Sequence, residues 1–183
     1  MRGLPNAISI FRLVLVPVSL GCLYRGDHIA AFLAFLVAGV SDAADGYIAR
    51  RWNLETALGR LLDPLADKVL LVGMMIALGW LGLLPVWLVA LVVARDVAIV
   101  LGVVATWVLR RPIPAAPSRI SKANTFAQMA LCGLVLLDLV TGWRMGTIEA
   151  AFVAAVCVLT VLSAALYARV WLAHLARQPL AAR

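Results

Sequence analysis

Apolar residues run along almost the whole chain in six stretches, separated by short connections that contain charged residues, Gly or Pro. Each stretch has about 20 residues, which at 1.5 Å per residue is enough to cross a hydrocarbon core of roughly 30 Å. The pattern therefore predicts six transmembrane helices, at approximately Ile8–Tyr24, Ile29–Arg50, Pro64–Leu83, Pro85–Leu109, Ala123–Leu139 and Ile148–Leu172.

The composition supports a membrane protein. Of 183 residues, 64% are hydrophobic, against roughly half in soluble domains. The six stretches leave no room for a separate soluble domain, so we expect residues 1–183 to form one all-α, polytopic membrane domain. The first stretch carries Arg12 and has no clear small-residue cleavage site, so we interpret it as a helix and not as a signal peptide.

The basic residues predict the orientation. If six helices alternate in direction, Arg25 and Arg144 fall on one side of the membrane and most other basic residues fall on the opposite side. The positive-inside rule then places the N- and C-termini in the cytoplasm. Because the net charge of +7 is concentrated in these connections, it favours anionic lipid and phosphate over nucleic acid as partners. A bacterial inner membrane fits this short chain.

Four of the nine acidic residues lie close together, between the second and third apolar stretches. Asp42 and Asp45 have i, i+3 spacing, and Asp63 and Asp67 have i, i+4 spacing, so each pair projects from one face of its helix. A short connection would let the two helices pair antiparallel, with their carboxylates facing each other. The orientation given above places this segment at the cytoplasmic face.

Four such carboxylates repel one another unless cations lie between them. Arg50 and Lys68 are too few to neutralise them. An all-oxygen ligand set without Cys or His selects hard divalent ions, Mg²⁺, Mn²⁺ or Ca²⁺. Intramembrane acids also mark ion and proton pathways, so a cation or proton transporter is the alternative interpretation.

Small residues and an arginine accompany the carboxylates. Gly46, Ala49 and Gly59 leave room for close approach of a ligand, although small residues also allow helices to touch. Arg50 carries a guanidinium suited to phosphate oxygens. Together with metal ligands, these residues indicate a pocket for a nucleotide diphosphate.

The stretch resembles the signature of the CDP-alcohol phosphotransferases at every fixed position. It reads Asp42, two residues, Asp45-Gly46, two residues, Ala49-Arg50, eight residues, Gly59, three residues, Asp63, three residues, Asp67. The resemblance implies a six-helix membrane enzyme, usually a homodimer, that transfers the phosphatidyl group of a CDP-linked lipid to an alcohol and releases CMP.

The resemblance also implies the roles of the signature residues. Asp42, Asp45 and Asp63 would hold two divalent metals, Mg²⁺ or Mn²⁺, with Asp67 near the second metal and acting as the catalytic base. The site for the cytidine and diphosphate of CDP-diacylglycerol would be lined by Gly46, Ala49, Arg50 and Gly59. Such a two-metal site suits phosphoryl transfer, which needs charge neutralisation and a deprotonated acceptor hydroxyl.

Other segments bear on the acceptor. "LPNAISIFRLVLVP" resembles the branch of the family whose acceptors contain glycerol, and Asn6 within it is a candidate contact to the nucleotide. "RISKANTFAQ", with Ser121 and Asn124, and Asp96 in "VARDVAIV" resemble the CMP-forming cardiolipin synthases, which use phosphatidylglycerol. We therefore favour phosphatidylglycerol as acceptor, with glycerol 3-phosphate as the alternative. Arg119 and Lys122 are the expected acceptor contacts, and Arg95 and Asp96 have either an acceptor role or a structural role between helices.

Overall fold

The structure is a computed structural model. It describes the backbone of residues 4–52, 57–108 and 118–177, and side chains in the ranges 14–41, 68–102 and 118–173, together with residues 11, 104 and 105. Within these ranges the secondary structure is entirely helical, as predicted. The helices are α1 (Leu4–Tyr24), α2 (His28–Trp52), α3 (Ala57–Trp80), α4 (Val86–Val108), α5 (Arg119–Thr141) and α6 (Gly146–Arg177).

Three helices begin at least four residues before their apolar stretches. The predicted first helix starts at Ile8 but α1 starts at Leu4. The predicted third helix starts at Pro64 but α3 starts at Ala57, and the predicted fifth helix starts at Ala123 but α5 starts at Arg119. Hydropathy detects only the part of a helix that suits lipid, whereas backbone hydrogen bonding continues into the polar turns. The Ser118 hydroxyl accepts a hydrogen bond from the Ser121 amide and so caps α5 at its first turn.

The six helices form one bundle. Helix α3 contacts α1, α4 and α5, while α2 packs against α1 and α5, and α6 packs against α5 and α4. The centre is filled by aliphatic side chains and methionines, including Leu70, Met74, Leu78, Leu88 and Leu131, all at most 1% exposed. The Ser19 hydroxyl donates to the carbonyl of Ala31 over 2.9 Å and links α1 to α2 inside this core.

The α1–α2, α3–α4 and α5–α6 turns lie at the same end of the bundle. The turn before α4 and the start of α6 border a common pocket, and Leu20 near the end of α1 lies beside Gly73 near the end of α3. Gly26 and Gly142 take left-handed backbone conformations, with φ of 80° and 66°, that terminate α1 and α5. The opposite end therefore contains the end of α2 and the starts of α3 and α5.

The outer surface of the bundle is apolar. Large hydrophobic side chains are exposed along every helix, among them Val14, Leu36, Ile76, Leu101, Phe126 and Leu172. Among the described residues, α5 and the Gly146–Ala173 part of α6 are long and apolar enough to cross a membrane, and shorter apolar segments occur in α1, α2 and α3. Such a surface fits a hydrocarbon environment and would aggregate in water.

A substitution pair tests the packing of α3 against α4. A Cβ at Gly79 would lie 2.9 Å from Cγ2 of Val89, whereas a Cβ at Gly21 would meet nothing within 4 Å. Alanine gains about 1 kcal/mol over glycine in a helix, but overpacking a stiff β-branched neighbour costs about 1–3 kcal/mol. We expect Gly21→Ala to raise the unfolding temperature in detergent and Gly79→Ala to lower it.

The double variant Gly79→Ala/Val89→Ala removes the opposing methyl groups. Its unfolding temperature should be higher than the sum of the two single-variant shifts predicts. Equal unfolding temperatures for Gly79→Ala and Gly21→Ala would contradict the close approach of α3 and α4.

Candidate active site

A large cavity opens between α2, α3, α4 and α5. Its volume is about 1150 Å³, larger than most ligand pockets. On α2 the described lining extends to Val40, two residues before Asp42, and on α3 it begins at Lys68, directly after Asp67. On both helices the described lining therefore adjoins the acidic segment in the sequence.

The structure places the signature residues on helices. Asp42, Asp45, Gly46, Ala49 and Arg50 belong to the second half of α2, and Gly59, Asp63 and Asp67 belong to the first three turns of α3. Asn6 belongs to the first turn of α1. Their side chains lie outside the described residues, so their roles stay predictions. The backbone confirms that the pairs with i, i+3 and i, i+4 spacing both lie on helices, as the predicted pairing requires.

The donor chemistry of this segment fits a divalent metal. Four carboxylates on two helical segments offer only oxygen ligands, the set that Mg²⁺ and Mn²⁺ prefer. No cluster of three or more potential metal ligands occurs among the residues with described side chains, a set that does not include these aspartates.

Part of the cavity wall is polar. Asp96, in the middle of α4, accepts a hydrogen bond from the Lys68 ammonium at Oδ2 and one from the Arg95 guanidinium at Oδ1, both over 2.6 Å. Arg95 is 5% exposed. Its Nη2 also donates to the hydroxyls of Ser121 on α5, over 2.7 Å, and of Ser163 on α6.

The aromatic ring of Tyr167 completes the surroundings of this arginine. The Arg95 Cζ atom lies 5.7 Å from the ring centroid, within the range of a cation–π interaction. Ser163 and Tyr167 are four residues apart on α6 and so share one face of that helix. Arg95 and its contacts thus connect α4, α5 and α6, which identifies Arg95 and Asp96 as an interhelical network.

The start of α5 contributes the remaining polar groups. Lys122 is exposed and lines the cavity, and Arg119 is exposed at the first position of the helix. Asn124 is fully buried and its Oδ1 accepts a hydrogen bond from Thr160 of α6 over 3.1 Å. The structure therefore brings Lys122 to the cavity, while Asn124 is used between helices.

The rest of the cavity wall is apolar. Helix α2 presents Phe35 and Leu36, and the facing parts of α4 and α5 present Val100, Leu101 and Met129. A cavity that combines cationic groups with a large hydrocarbon wall suits an amphiphile with a phosphate headgroup.

Sequence reasoning did not identify Lys68, Ser163, Thr160 and Tyr167 as members of the site. A signal for the α6 residues exists in retrospect, because small polar and aromatic residues four apart stand out in an otherwise aliphatic helix. Their partners are 36 to 72 residues away along the chain, so the pattern alone could not have paired them.

Replacing Arg95 by lysine tests the network. A single ammonium cannot reproduce the planar fork that reaches Asp96 and two serines at once. Since hydrogen bonds to charged groups contribute about 1.5–3 kcal/mol, we expect Arg95→Lys to lower the unfolding temperature in detergent by several degrees. Arg25→Lys, a like change at an exposed turn residue, is the control. Identical unfolding of Arg95→Lys and wild type would contradict the network.

Comparison with known proteins gives the family. Residues 2–162 match the sequence profile of the CDP-alcohol phosphatidyltransferases. The chain is 36% identical to a cardiolipin synthase (CMP-forming) of Streptomyces coelicolor over 148 residues, which cover 76% of this chain and 67% of the relative.

Two further relatives are named for different activities. A CDP-diacylglycerol–glycerol-3-phosphate 3-phosphatidyltransferase of Bacillus subtilis is 31% identical over 181 residues, covering 79% of this chain and 93% of the relative. A cardiolipin synthase (CMP-forming) of Rattus norvegicus is 36% identical over 144 residues, covering 70% of this chain and 48% of the relative. The chain therefore belongs to the CDP-alcohol phosphatidyltransferase family and is an enzyme of that class.

Proposed function

We propose that this enzyme transfers the phosphatidyl group of CDP-diacylglycerol to phosphatidylglycerol, forming cardiolipin and releasing CMP. The observation that carries the proposal is the cavity whose described lining adjoins the acidic segment in the sequence, because this lining combines Lys68 and Lys122 with a large apolar wall. Both substrates of this reaction are anionic lipids, and the cavity offers cations for phosphate and a hydrocarbon surface for acyl chains. Ser121, Asn124 and Asp96 support the choice of acceptor through their resemblance to cardiolipin synthases.

The reaction assigned to the site is a displacement at phosphorus. A hydroxyl oxygen of phosphatidylglycerol attacks the phosphatidyl phosphorus, the bond from that phosphorus to the CMP oxygen breaks, and Asp67 takes the hydroxyl proton. Arg50, Gly46, Ala49 and Gly59 bind the cytidine diphosphate.

Asp42, Asp45, Asp63 and Asp67 would hold two divalent cations, which when bound supply charge neutralisation for the non-bridging oxygens. Arg119 and Lys122 bind the acceptor phosphate, and Asn6 contacts the nucleotide.

The proposal includes a membrane topology. Exposed aromatic side chains cluster at the end that carries the three short turns: Trp80, Trp87 and Trp143 are 83%, 57% and 72% exposed, and Tyr24 is 56% exposed. Such residues favour the membrane–water interface. With six spans, this end lies outside the cytoplasm and the acidic segment lies at the cytoplasmic face, where CDP-diacylglycerol can keep its acyl chains in the bilayer. We also propose a homodimer.

A second acceptor has specific support. The Bacillus subtilis relative, named for glycerol 3-phosphate, is matched over 93% of its length. Glycerol 3-phosphate would bind the same cations, Lys68 and Lys122. Only the acyl chains of the donor would then contact the apolar wall.

Metal dependence and Asp63 can be tested together. We expect CMP release from CDP-diacylglycerol to need Mg²⁺ or Mn²⁺ and to stop in excess chelator. Asp63→Asn should lower turnover by at least about 100-fold, because a neutral amide is a weaker ligand for a hard cation, while the protein remains folded. Asp138→Asn, at the opposite end of the bundle, removes the same charge and should stay active. Normal turnover of Asp63→Asn, or activity in chelator, would contradict the metal site.

The acceptor is tested by offering phosphatidylglycerol and glycerol 3-phosphate separately, with CDP-diacylglycerol and Mg²⁺ or Mn²⁺, and identifying the lipid product by mass. We expect cardiolipin, and no product of that mass when phosphatidylglycerol is omitted. Formation of phosphatidylglycerophosphate would contradict phosphatidylglycerol as the acceptor but would agree with phosphatidyl transfer as the reaction. A transporter would instead move ions across sealed vesicles without any lipid donor.

A further inference from the structure

Asp96 binds two cations at once, one with each carboxylate oxygen. Its Oδ2 accepts from Lys68 and its Oδ1 accepts from Arg95, and its side chain is 12% exposed. The three groups together carry one net positive charge. A carboxylate in this arrangement fixes the relative positions of the two cations as well as neutralising one of them.

The two cations differ in their freedom. The Arg95 side chain is 4% exposed and is held by Ser121, Ser163 and the Tyr167 ring. The Lys68 side chain is 41% exposed and lines the cavity. Arg95 therefore anchors Asp96 to three helices, and Asp96 holds the free end of a flexible lysine.

The Lys68 side chain lines the cavity beside Asp96. An ammonium has three donors, and the bond to Asp96 uses one of them, which leaves others for a ligand oxygen. Lys68 also directly follows Asp67, so the two residues belong to the same turn of α3. Asp67 is the proposed base.

We propose that Asp96 is a positioning residue, which holds the Lys68 ammonium toward the phosphate groups of substrate in the cavity, with Arg95 fixing Asp96 in turn. The proposal rests on phosphatidyl transfer and is independent of which acceptor is used. A lysine side chain loses up to about 2 kcal/mol of rotamer freedom when it is fixed. The pair with Asp96 meets this cost before substrate binds.

Positioning of Lys68 and simple attachment of α3 to α4 differ in their energetic consequences. The pair between Lys68 and Asp96 is partly exposed at Lys68 and contributes only about 0–1 kcal/mol to stability, so Lys68→Met should change unfolding little, whereas Asp96→Asn also removes the charged partner of the buried Arg95 and should lower the unfolding temperature. Displacing a phosphate-binding group by about 1 Å can lower the rate on the order of 100-fold. A positioning role therefore predicts a large effect on turnover for both variants, and for Lys68→Met a small effect on stability.

A double-mutant cycle tests this role. Asp96→Asn, Lys68→Met and the double variant are compared with wild type by CMP release, using whichever acceptor is active. We expect each single change to lower kcat by about 10- to 100-fold and the double change to lower it no further than the more severe single change, since Asp96 acts through Lys68. Asp96→Glu should recover part of the lost activity.

The proposal would be overturned if the losses in kcat of the two single variants multiplied in the double variant. Normal kcat for Asp96→Asn would overturn it as well. A loss of kcat that follows a loss of folded protein, as read by thermal unfolding, would assign Asp96 to structure alone. Asp138→Asn is the matched control, because it removes a carboxylate at the far end of the bundle.

A second readout does not depend on turnover, so it remains decisive if the proposed acceptor or reaction is wrong. The chain contains two lysines, Lys68 and Lys122, which allows amine labelling at each to be measured by peptide mass. We expect Asp96→Asn to increase labelling of Lys68 relative to Lys122, because the ammonium loses the carboxylate that holds it. An unchanged ratio would show that Asp96 does not hold Lys68.

Discussion

A guanidinium buried inside an apolar bundle has to be surrounded by groups that satisfy it, and this constraint organises the middle of the molecule. Placing a charge in a low-dielectric interior costs several kcal/mol unless it is paired and hydrogen-bonded. Arg95 meets this requirement at its two terminal nitrogens, with Asp96 on its own helix, Ser121 on α5 and Ser163 on α6, while its Nε has no hydrogen-bond partner among the described residues. Because α4, α5 and α6 must all supply these partners, their relative positions are fixed around Arg95.

The same arrangement divides the cavity into two parts. Where the network reaches the cavity, Lys68, Asp96 and Ser121 form a polar part of the wall together with Lys122 and Thr125, and most of the remaining lining is aliphatic or aromatic. The division matches the chemistry of a CDP-linked lipid, whose diphosphate and acyl chains need opposite surroundings. One buried charge therefore helps both to hold the bundle together and to define where a headgroup can lie.

Much of this structure could be predicted from the sequence, and the exceptions have physical reasons. The six apolar stretches predicted all six helices because lipid-facing and core-facing residues are both apolar. Hydropathy could not predict that α3 begins at Ala57, since its polar first turns are held by backbone hydrogen bonds. The acidic segment was recognised by its helical spacing and by its resemblance to the family signature. Ser163 and Tyr167 were missed, because their contacts with Arg95 join positions far apart in the chain.

The residues that favour phosphatidylglycerol as acceptor all make contacts between helices. Ser121 accepts from Arg95, Asp96 accepts from Lys68 and Arg95, and Asn124 accepts from Thr160. If these residues distinguish acceptors, they do so by setting where cations such as Lys68 and Lys122 lie, and direct contact with the acceptor is not required. Acceptor choice within this family would then be a property of helix placement, since a shift of about 1 Å in a phosphate-binding cation changes transfer rates by orders of magnitude.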